Sequence, residues 1–139
     1  MLKTKIAVFV SGGGTNFEAL INAQENGKIP HGEIVLMVSS SRTAYALKRA
    51  ENHGIKSVVC SKKELGSQEK FEEEILKNLE ENDIQLIVLA GFMSILSNEF
   101  TKKYENRIIN IHPSLIPSFC GEGFYGLHVH EAALKKGVK

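Results

Sequence analysis

Residues 107–117 read RIINIHPSLIP, a β-branched run that carries an amide and an imidazole two positions apart. Side chains alternate between the two faces of a strand, so we predict that Asn110 and His112 project from one face and Ile109 and Ile111 from the other. The proline that follows cannot donate to a sheet and restricts the residue before it, which predicts a strand that ends at His112. In a parallel sheet the ligand crevice lies at this end of the strands. Such a pair can be simply a satisfied polar pair, but an amide beside an imidazole also suits acyl transfer, in which a carbonyl oxygen gains negative charge.

The composition indicates one soluble globular domain over residues 1–139, with 42% hydrophobic and 24% charged residues. The chain has no apolar run long enough to span a bilayer and does not start with a secretory signal, so we expect a cytoplasmic protein without a membrane partner. A formal net charge of +1 argues against nucleic acid as a partner. Cys60 and Cys120 have no metal-site spacing, and we expect no metal.

A glycine-rich turn follows the first predicted strand. The apolar run at 5–10 is followed by SGGGTN at 11–16 and then by helical spacing of apolar residues, an arrangement that suits a phosphate. A dinucleotide fingerprint is excluded, because Phe17 replaces its third glycine and the second strand ends in three serines without a carboxylate. A P-loop is excluded because no Gly-Lys-Ser/Thr follows. A single phosphate and a simple tight turn remain as the two interpretations.

The rest of the chain alternates between strand and helix patterns. We predict further strands at 33–39, 56–60, 84–89 and 108–112, and helices at 44–53, 67–82 and 97–104. This alternation predicts an α/β fold with a doubly wound, mostly parallel sheet and right-handed crossovers. In the 67–82 helix, Ser67 is a predicted cap, and the acids at 72–74 are interpreted as a solvated face. His31 and His53 are assigned no function.

The loop after the fourth predicted strand is unusually apolar. Phe92, Met93, Ile95 and Leu96 either plug the core or line a pocket for a flat organic ligand, and the sequence leaves both alternatives open.

Three motifs together resemble those of the phosphoribosylglycinamide formyltransferase family, folate-dependent enzymes of purine synthesis. They are SGGGTN at 11–16, LAGFMSIL at 89–96 and NIHPSLIP at 110–117, in the family's order and approximate spacing. The similarity extends from about residue 5 to the end of the chain. It implies a Rossmann-like formyltransferase fold and transfer of a formyl group from 10-formyltetrahydrofolate to the amine of glycinamide ribonucleotide. It also implies small-molecule substrates and no metal.

The resemblance implies roles for individual residues. The ribose 5-phosphate would be held by Gly14, Thr15 and Asn16. The folate would be contacted by Gln68, Met93, Ser94, Ile95, Leu96 and Asn110. Asn110 and His112 would be catalytic, stabilising the oxyanion and delivering a proton to the leaving nitrogen. Family members often have arginine at the positions of Gln68 and Ser94, so the resemblance does not imply a charge contact with the folate there.

Family members also continue beyond the position of Lys139, and their continuation carries an aspartate that raises the pKa of the histidine. After His112 this chain has only Glu122 and Glu131 as acids, and neither is assigned that role. We therefore expect a domain that is incomplete at its carboxyl end, without the last strands of the sheet. The alternative functions are a formyltetrahydrofolate hydrolase and a non-catalytic phosphate-binding fragment of the same fold. A tRNA formyltransferase is disfavoured, because no additional nucleic-acid domain or basic surface is visible.

Overall fold

A computed structural model describes residues 3–111, so the predictions for His112, Cys120, Glu122 and Glu131 lie outside the described residues. Within this range the elements are β1 (Thr4–Val10), α1 (Thr15–Glu25), β2 (Gly32–Ser39), α2 (Ala46–Asn52), β3 (Lys56–Val59), α3 (Lys62–Leu65), α4 (Gln68–Glu81), β4 (Leu86–Ala90), α5 (Asn98–Lys103) and β5 (Ile108–Ile111). None of these helices is long and apolar enough to cross a membrane.

The five strands form one parallel sheet in the order β3-β2-β1-β4-β5. β2 and β3 lie in succession on one side of β1, and β4 and β5 lie in succession on its other side. Such a switch in strand order opens a crevice at the carboxyl ends of the two central strands. The doubly wound, mostly parallel α/β fold predicted from the sequence is therefore confirmed for the described strands.

Apolar side chains cover both faces of the sheet. Val8 belongs to a cluster with Phe17 and Leu20 of α1, whereas its neighbour Phe9 belongs to a cluster with Phe71 of α4 and Phe100 of α5. Val8 and Phe9 are both fully buried. This explains why β1 has a continuous apolar sequence instead of an alternating one, since each face of a central parallel strand packs against helices.

The predicted element bounds agree with the structure to within about two residues, with one omission. Helix α3 is a single turn whose cap, Ser61, accepts a hydrogen bond from the Glu64 amide, and four residues are too few to show a helical period. The predicted cap of α4 is confirmed, because the Ser67 hydroxyl accepts a hydrogen bond from the Lys70 amide at 3.2 Å. Ile84 was predicted to start β4, but its amide instead closes the end of α4 by donating to Leu79 O at 2.9 Å.

The thiol of Cys60 is buried and unreactive. The residue is fully buried, and burial, with a smaller contribution from Glu74, raises the pKa of the thiol to about 12. At neutral pH the group stays protonated, so it is neither a nucleophile nor a ready metal ligand.

Candidate active site

Gly14 sets the geometry of the glycine turn at the end of β1. It has φ of +81°, precedes α1 directly, and leaves the helix without a side-chain cap. A Cβ atom at this position would lie 2.8 Å from Ala46 Cβ, so glycine also allows α1 and α2 to approach closely. At Gly12 and Gly13 a Cβ would meet nothing within 4 Å, and both residues are exposed. The turn therefore presents bare backbone to solvent on one side and packs tightly on the other.

Several backbone amides of this turn have no partner in the described part of the chain. Within residues 3–111, the first backbone amide after that of Ser11 to donate is that of Glu18, to Gly14 O at 2.8 Å. The intervening N–H groups lie at the positive end of an 11-residue helix, where anions bind favourably. Asn16 is buried, with 7% of its surface exposed, and its Oδ1 has no hydrogen-bond partner in the described part of the chain. Of the residues predicted to hold a phosphate, Gly14 and Thr15 would offer backbone amides, and Asn16 has a side-chain acceptor that has no partner within residues 3–111.

Arg49 of α2 supports the glycine turn from behind. Its Nε donates to Gly13 O at 2.7 Å, and a terminal nitrogen lies 3.3 Å from the carboxylate of Glu18. The guanidinium also lies 5.0 Å from the centroid of the Tyr45 ring. Arg49 therefore fixes one carbonyl of the turn and places a positive charge beside it. Sequence reasoning missed both functions because they depend on how α2 docks against the turn and α1.

His53 neutralises two carboxylates of α1. Its Nε2 is 2.9 Å from Glu18 Oε2 and its Nδ1 is 3.1 Å from Glu25 Oε2. The hydrogen bond to Glu18 raises the pKa of His53 above its ordinary value of 6.5; burial opposes the rise and Glu25 adds to it. Protonated His53 and Arg49 together offset the charge of Glu18, which would otherwise repel a phosphate near the start of α1.

The His53 bridge predicts a pH-dependent stability. A raised pKa in the folded state means that the stabilisation is complete below the unfolded-state value near 6.5 and is lost as pH rises through the folded-state pKa. We expect His53→Ala to lower the melting temperature by about 2 °C at pH 6, the scale of a solvent-accessible ion pair, and by less at pH 9. Thermal unfolding of the unsubstituted protein and of the His53→Ala variant between pH 6 and pH 9 tests this expectation. An equal loss of melting temperature at both pH values would contradict the charge argument. His31→Ala is the control.

Ser11 joins the carboxyl ends of three strands. Its hydroxyl accepts hydrogen bonds from Ser40 Oγ at 2.6 Å, after β2, and from the Met93 amide at 2.7 Å, after β4. Its own amide donates to Gly91 O at 3.2 Å. The glycine turn and the loop at 91–97 are therefore physically connected at the switch point of the sheet.

The loop at 91–97 divides its apolar side chains between the core and solvent. Phe92 packs against Phe9, with ring centroids 5.2 Å apart, and stacks on Phe71 at 6.5 Å. Leu96 packs against the same cluster. Met93 and Ile95 are each 82% exposed. The core-plugging interpretation thus holds for Phe92 and Leu96. Met93 and Ile95 face solvent, and their role in a ligand pocket stays a prediction.

Glu72 holds the far end of this loop, which corrects its interpretation as part of a solvated face. Its carboxylate accepts hydrogen bonds from the Ser97 amide and the Ser97 hydroxyl, both at 2.6 Å, and from Gln68 Nε2 at 2.6 Å. Burial raises the pKa of Glu72, but the hydrogen bonds from Ser97 and Gln68 outweigh it and leave the pKa below its ordinary value. The same Gln68 nitrogen donates to Ile95 O at 2.8 Å. Gln68 therefore lies beside Ile95, one of the other residues for which the resemblance implies a folate contact.

Asn110 lies on β5, beside the end of β4. Its neighbours Ile109 and Ile111 pack in the cluster on the α1 side of the sheet, so the alternation of the strand directs Asn110 to the α4 and α5 side. The predicted opposition of Asn110 to the two isoleucines is thus confirmed, and Asn110 shares its face with the loop at 91–97. The position of His112 lies outside the described residues. Within residues 3–111 no group of three or more His, Cys, Asp or Glu side chains could hold a metal ion.

A family model described as formyl transferase matches residues 4–139. The chain belongs to the formyl transferase family. This confirms the resemblance to formyltransferases that the three sequence motifs indicate.

Relatives of this formyl transferase family member include both enzymes and a larger protein. This chain is 45% identical over 137 residues to the trifunctional purine biosynthetic protein adenosine-3 of Gallus gallus, and the match covers 99% of this chain and 13% of that protein. It is 37% identical to the phosphoribosylglycinamide formyltransferase of Haemophilus influenzae, covering 96% of this chain and 60% of that enzyme. The crystal structure of phosphoribosylglycinamide formyltransferase from Brucella melitensis matches with a TM-score of 0.76 and 42% identity, over 99% of this chain and 68% of that one. The chain thus spans less than two thirds of the length of both curated relatives.

Proposed function

We propose that this protein transfers a formyl group from 10-formyltetrahydrofolate to the amine of glycinamide ribonucleotide in the purine pathway of the cytoplasm. The observation that carries the proposal is the meeting of two differently built segments at the switch point of the sheet. One is a turn with free amides at a helix start, and the other is an anchored loop with outward apolar side chains, and Ser11 joins them. The first suits a phosphate and the second a flat heterocycle, so one substrate of each kind would meet between them.

In this proposal the phosphate of the ribonucleotide binds the amides around Gly14, Thr15 and Asn16. The unpartnered Oδ1 of Asn16 is an acceptor and therefore suits a hydroxyl or amine of the same substrate instead of its anionic oxygens. The pterin of the folate lies against Met93, Ser94, Ile95 and Leu96, with Gln68 beside them.

The proposed chemistry uses Asn110 of β5 and His112, which follows the last described residue of β5 in the sequence. The substrate amine attacks the formyl carbon, and the carbonyl oxygen becomes an oxyanion in the tetrahedral intermediate. The Asn110 amide and protonated His112 donate hydrogen bonds to this oxygen. His112 then delivers a proton to the folate nitrogen as its bond to the formyl carbon breaks, and the attacking nitrogen loses one proton to solvent, so that the products are the formylated amine and tetrahydrofolate.

The test pairs calorimetric titration of glycinamide ribonucleotide with an assay of formyl transfer on the same purified protein. Saturable binding together with formylated ribonucleotide as product supports the proposal. Binding without turnover would instead indicate a phosphate-binding module, and release of formate without transfer would indicate a hydrolase. If the protein shows no binding and no turnover, all three functions are excluded.

Arg49 provides a second check on the phosphate site. We expect Arg49→Gln to weaken ribonucleotide binding by roughly tenfold, because the variant loses both the positive charge near the anion and the hydrogen bond to Gly13 O. Lys48→Gln is the matched control, since Lys48 is exposed on the same helix and its Nζ lies 3.6 Å from a carboxylate oxygen of Glu51. Titration of each variant with the ribonucleotide measures the effect; equal affinities for the two variants would contradict the assigned support of the turn.

A further inference from the structure

The loop at 91–97 is fixed at several points although two of its largest side chains face solvent. Phe92 is inserted into the aromatic cluster, the Met93 amide is bound by Ser11, and Ile95 O is bound by Gln68. Exposed apolar side chains on a firmly held loop are characteristic of a prepared binding surface, because burying this apolar area is favourable only when a ligand covers it. What holds the loop therefore decides how well this surface is prepared.

The carboxylate of Glu72 is the only charged group of the described residues that bonds this loop. Both oxygens are engaged, one by the Ser97 hydroxyl and the other by the Ser97 amide and Gln68 Nε2. Charge-assisted hydrogen bonds of this kind are about twice as strong as neutral ones. Ser97 is in turn the cap of α5 and accepts from the Phe100 amide at 3.2 Å. A single side chain of α4 thus ties together the loop, the start of α4 and the start of α5.

We propose that Glu72 is a positioning residue for the folate, acting through Ser97 and Gln68 to hold the loop at 91–97 in its binding conformation. This inference rests on the proposed function, since it assigns that loop to the folate. Glu72 does not itself contact the reacting atoms, and it lies on a different element from the phosphate site. Its removal should affect recognition of one substrate and leave the other nearly unchanged.

Glu72→Gln is the direct test. The variant keeps the size of the side chain, but it removes the charge and replaces one acceptor oxygen by an NH₂ group that cannot accept from Ser97. We expect KM for the formyl-folate to rise about 10-fold to 100-fold, the scale of losing hydrogen bonds to a charged group, while kcat and KM for the ribonucleotide change by less than about threefold. Glu73→Gln is the matched control, because Glu73 is the exposed neighbour on the same helix. An unchanged KM for the folate, or equal losses for both substrates, would overturn the proposal.

A second measurement separates this inference from the proposed function. The chain has no tryptophan, so Met93→Trp places a single fluorescent reporter on the exposed part of the loop. In this background Glu72→Gln should lower the fluorescence anisotropy of the reporter, and Glu73→Gln should not. If the protein neither binds nor uses folate, the proposed function fails, whereas the reporter still shows whether Glu72 holds the loop. An anisotropy that does not respond to Glu72→Gln would refute the positioning role by itself.

Discussion

Replacing Asn110 by alanine should lower kcat of formyl transfer by about 10²–10³, while the dissociation constant for glycinamide ribonucleotide stays within about twofold. The large factor is expected because an oxyanion donor acts in the transition state, where the charge on the oxygen is greatest, and hardly at all on the bound substrates. The proposed phosphate site is the turn after β1, two strands away from β5. His112→Ala should show the same division between turnover and binding, since in the proposed mechanism both groups donate to the same oxygen.

The strand itself supplies the control for this result. Ile109 is adjacent to Asn110 and 3% exposed, but its side chain packs on the opposite face of the sheet. Ile109→Val should cost about 0.5–1.5 kcal/mol of stability and leave kcat nearly unchanged. Steady-state kinetics and ribonucleotide titration on the three variants measure both quantities. An Asn110→Ala protein with full turnover, or one that loses binding and turnover together, would contradict the assigned role.

The sheet and the location of the site could be predicted from the sequence because both depend on local patterns. The continuous apolar run of β1 predicts a strand covered on two faces, and the cluster assignments of Val8 and Phe9 confirm it. Gly14 and Gly91 follow predicted strands and Asn110 lies near the end of one, and parallel strands bring such positions to one edge of a sheet. A periodic pattern is thus enough to predict that residues distant in the sequence lie close together, although it does not predict their contacts.

The partners of charged side chains could not be predicted in this way. The helical period of α4 places Glu72 at the margin of the apolar face, where a carboxylate is ordinarily solvated, and only the packing of α5 beside it supplies Ser97. Likewise, His53 follows α2 and gains its two carboxylates only because α1 lies alongside. The loop at 91–97 has no period, so its sequence gives no means of separating the buried Phe92 from the exposed Met93. Each of these features depends on how two elements are docked, which a one-dimensional pattern does not specify.

Gly14→Ala should destabilise the fold by about 2–4 kcal/mol and weaken ribonucleotide binding, the largest loss of stability expected in the site. Two causes add up: an L-residue at φ of +81° costs roughly 1–2 kcal/mol, and the new methyl would lie 2.8 Å from Ala46 Cβ and 3.2 Å from Ala46 Cα, which forces α1 away from α2. That displacement would re-aim the amides of the turn. Gly12→Ala is the matched control, because its Cβ would meet nothing within 4 Å, and we expect a change within about 0.5 kcal/mol.

The two causes can be separated with a second substitution. Ala46→Gly removes the overlapping methyl, at a cost of about 1 kcal/mol in a helix, but it cannot relieve the backbone conformation of residue 14. In a double-mutant cycle measured by urea unfolding, Gly14→Ala and Ala46→Gly should therefore be less destabilising together than the sum of the single changes. Additive effects would show that the contact between the helices is unimportant and that the backbone conformation alone requires glycine. A Gly14→Ala protein as stable as Gly12→Ala would contradict both causes. Neither the backbone conformation nor the contact between α1 and α2 would then explain why position 14 is glycine.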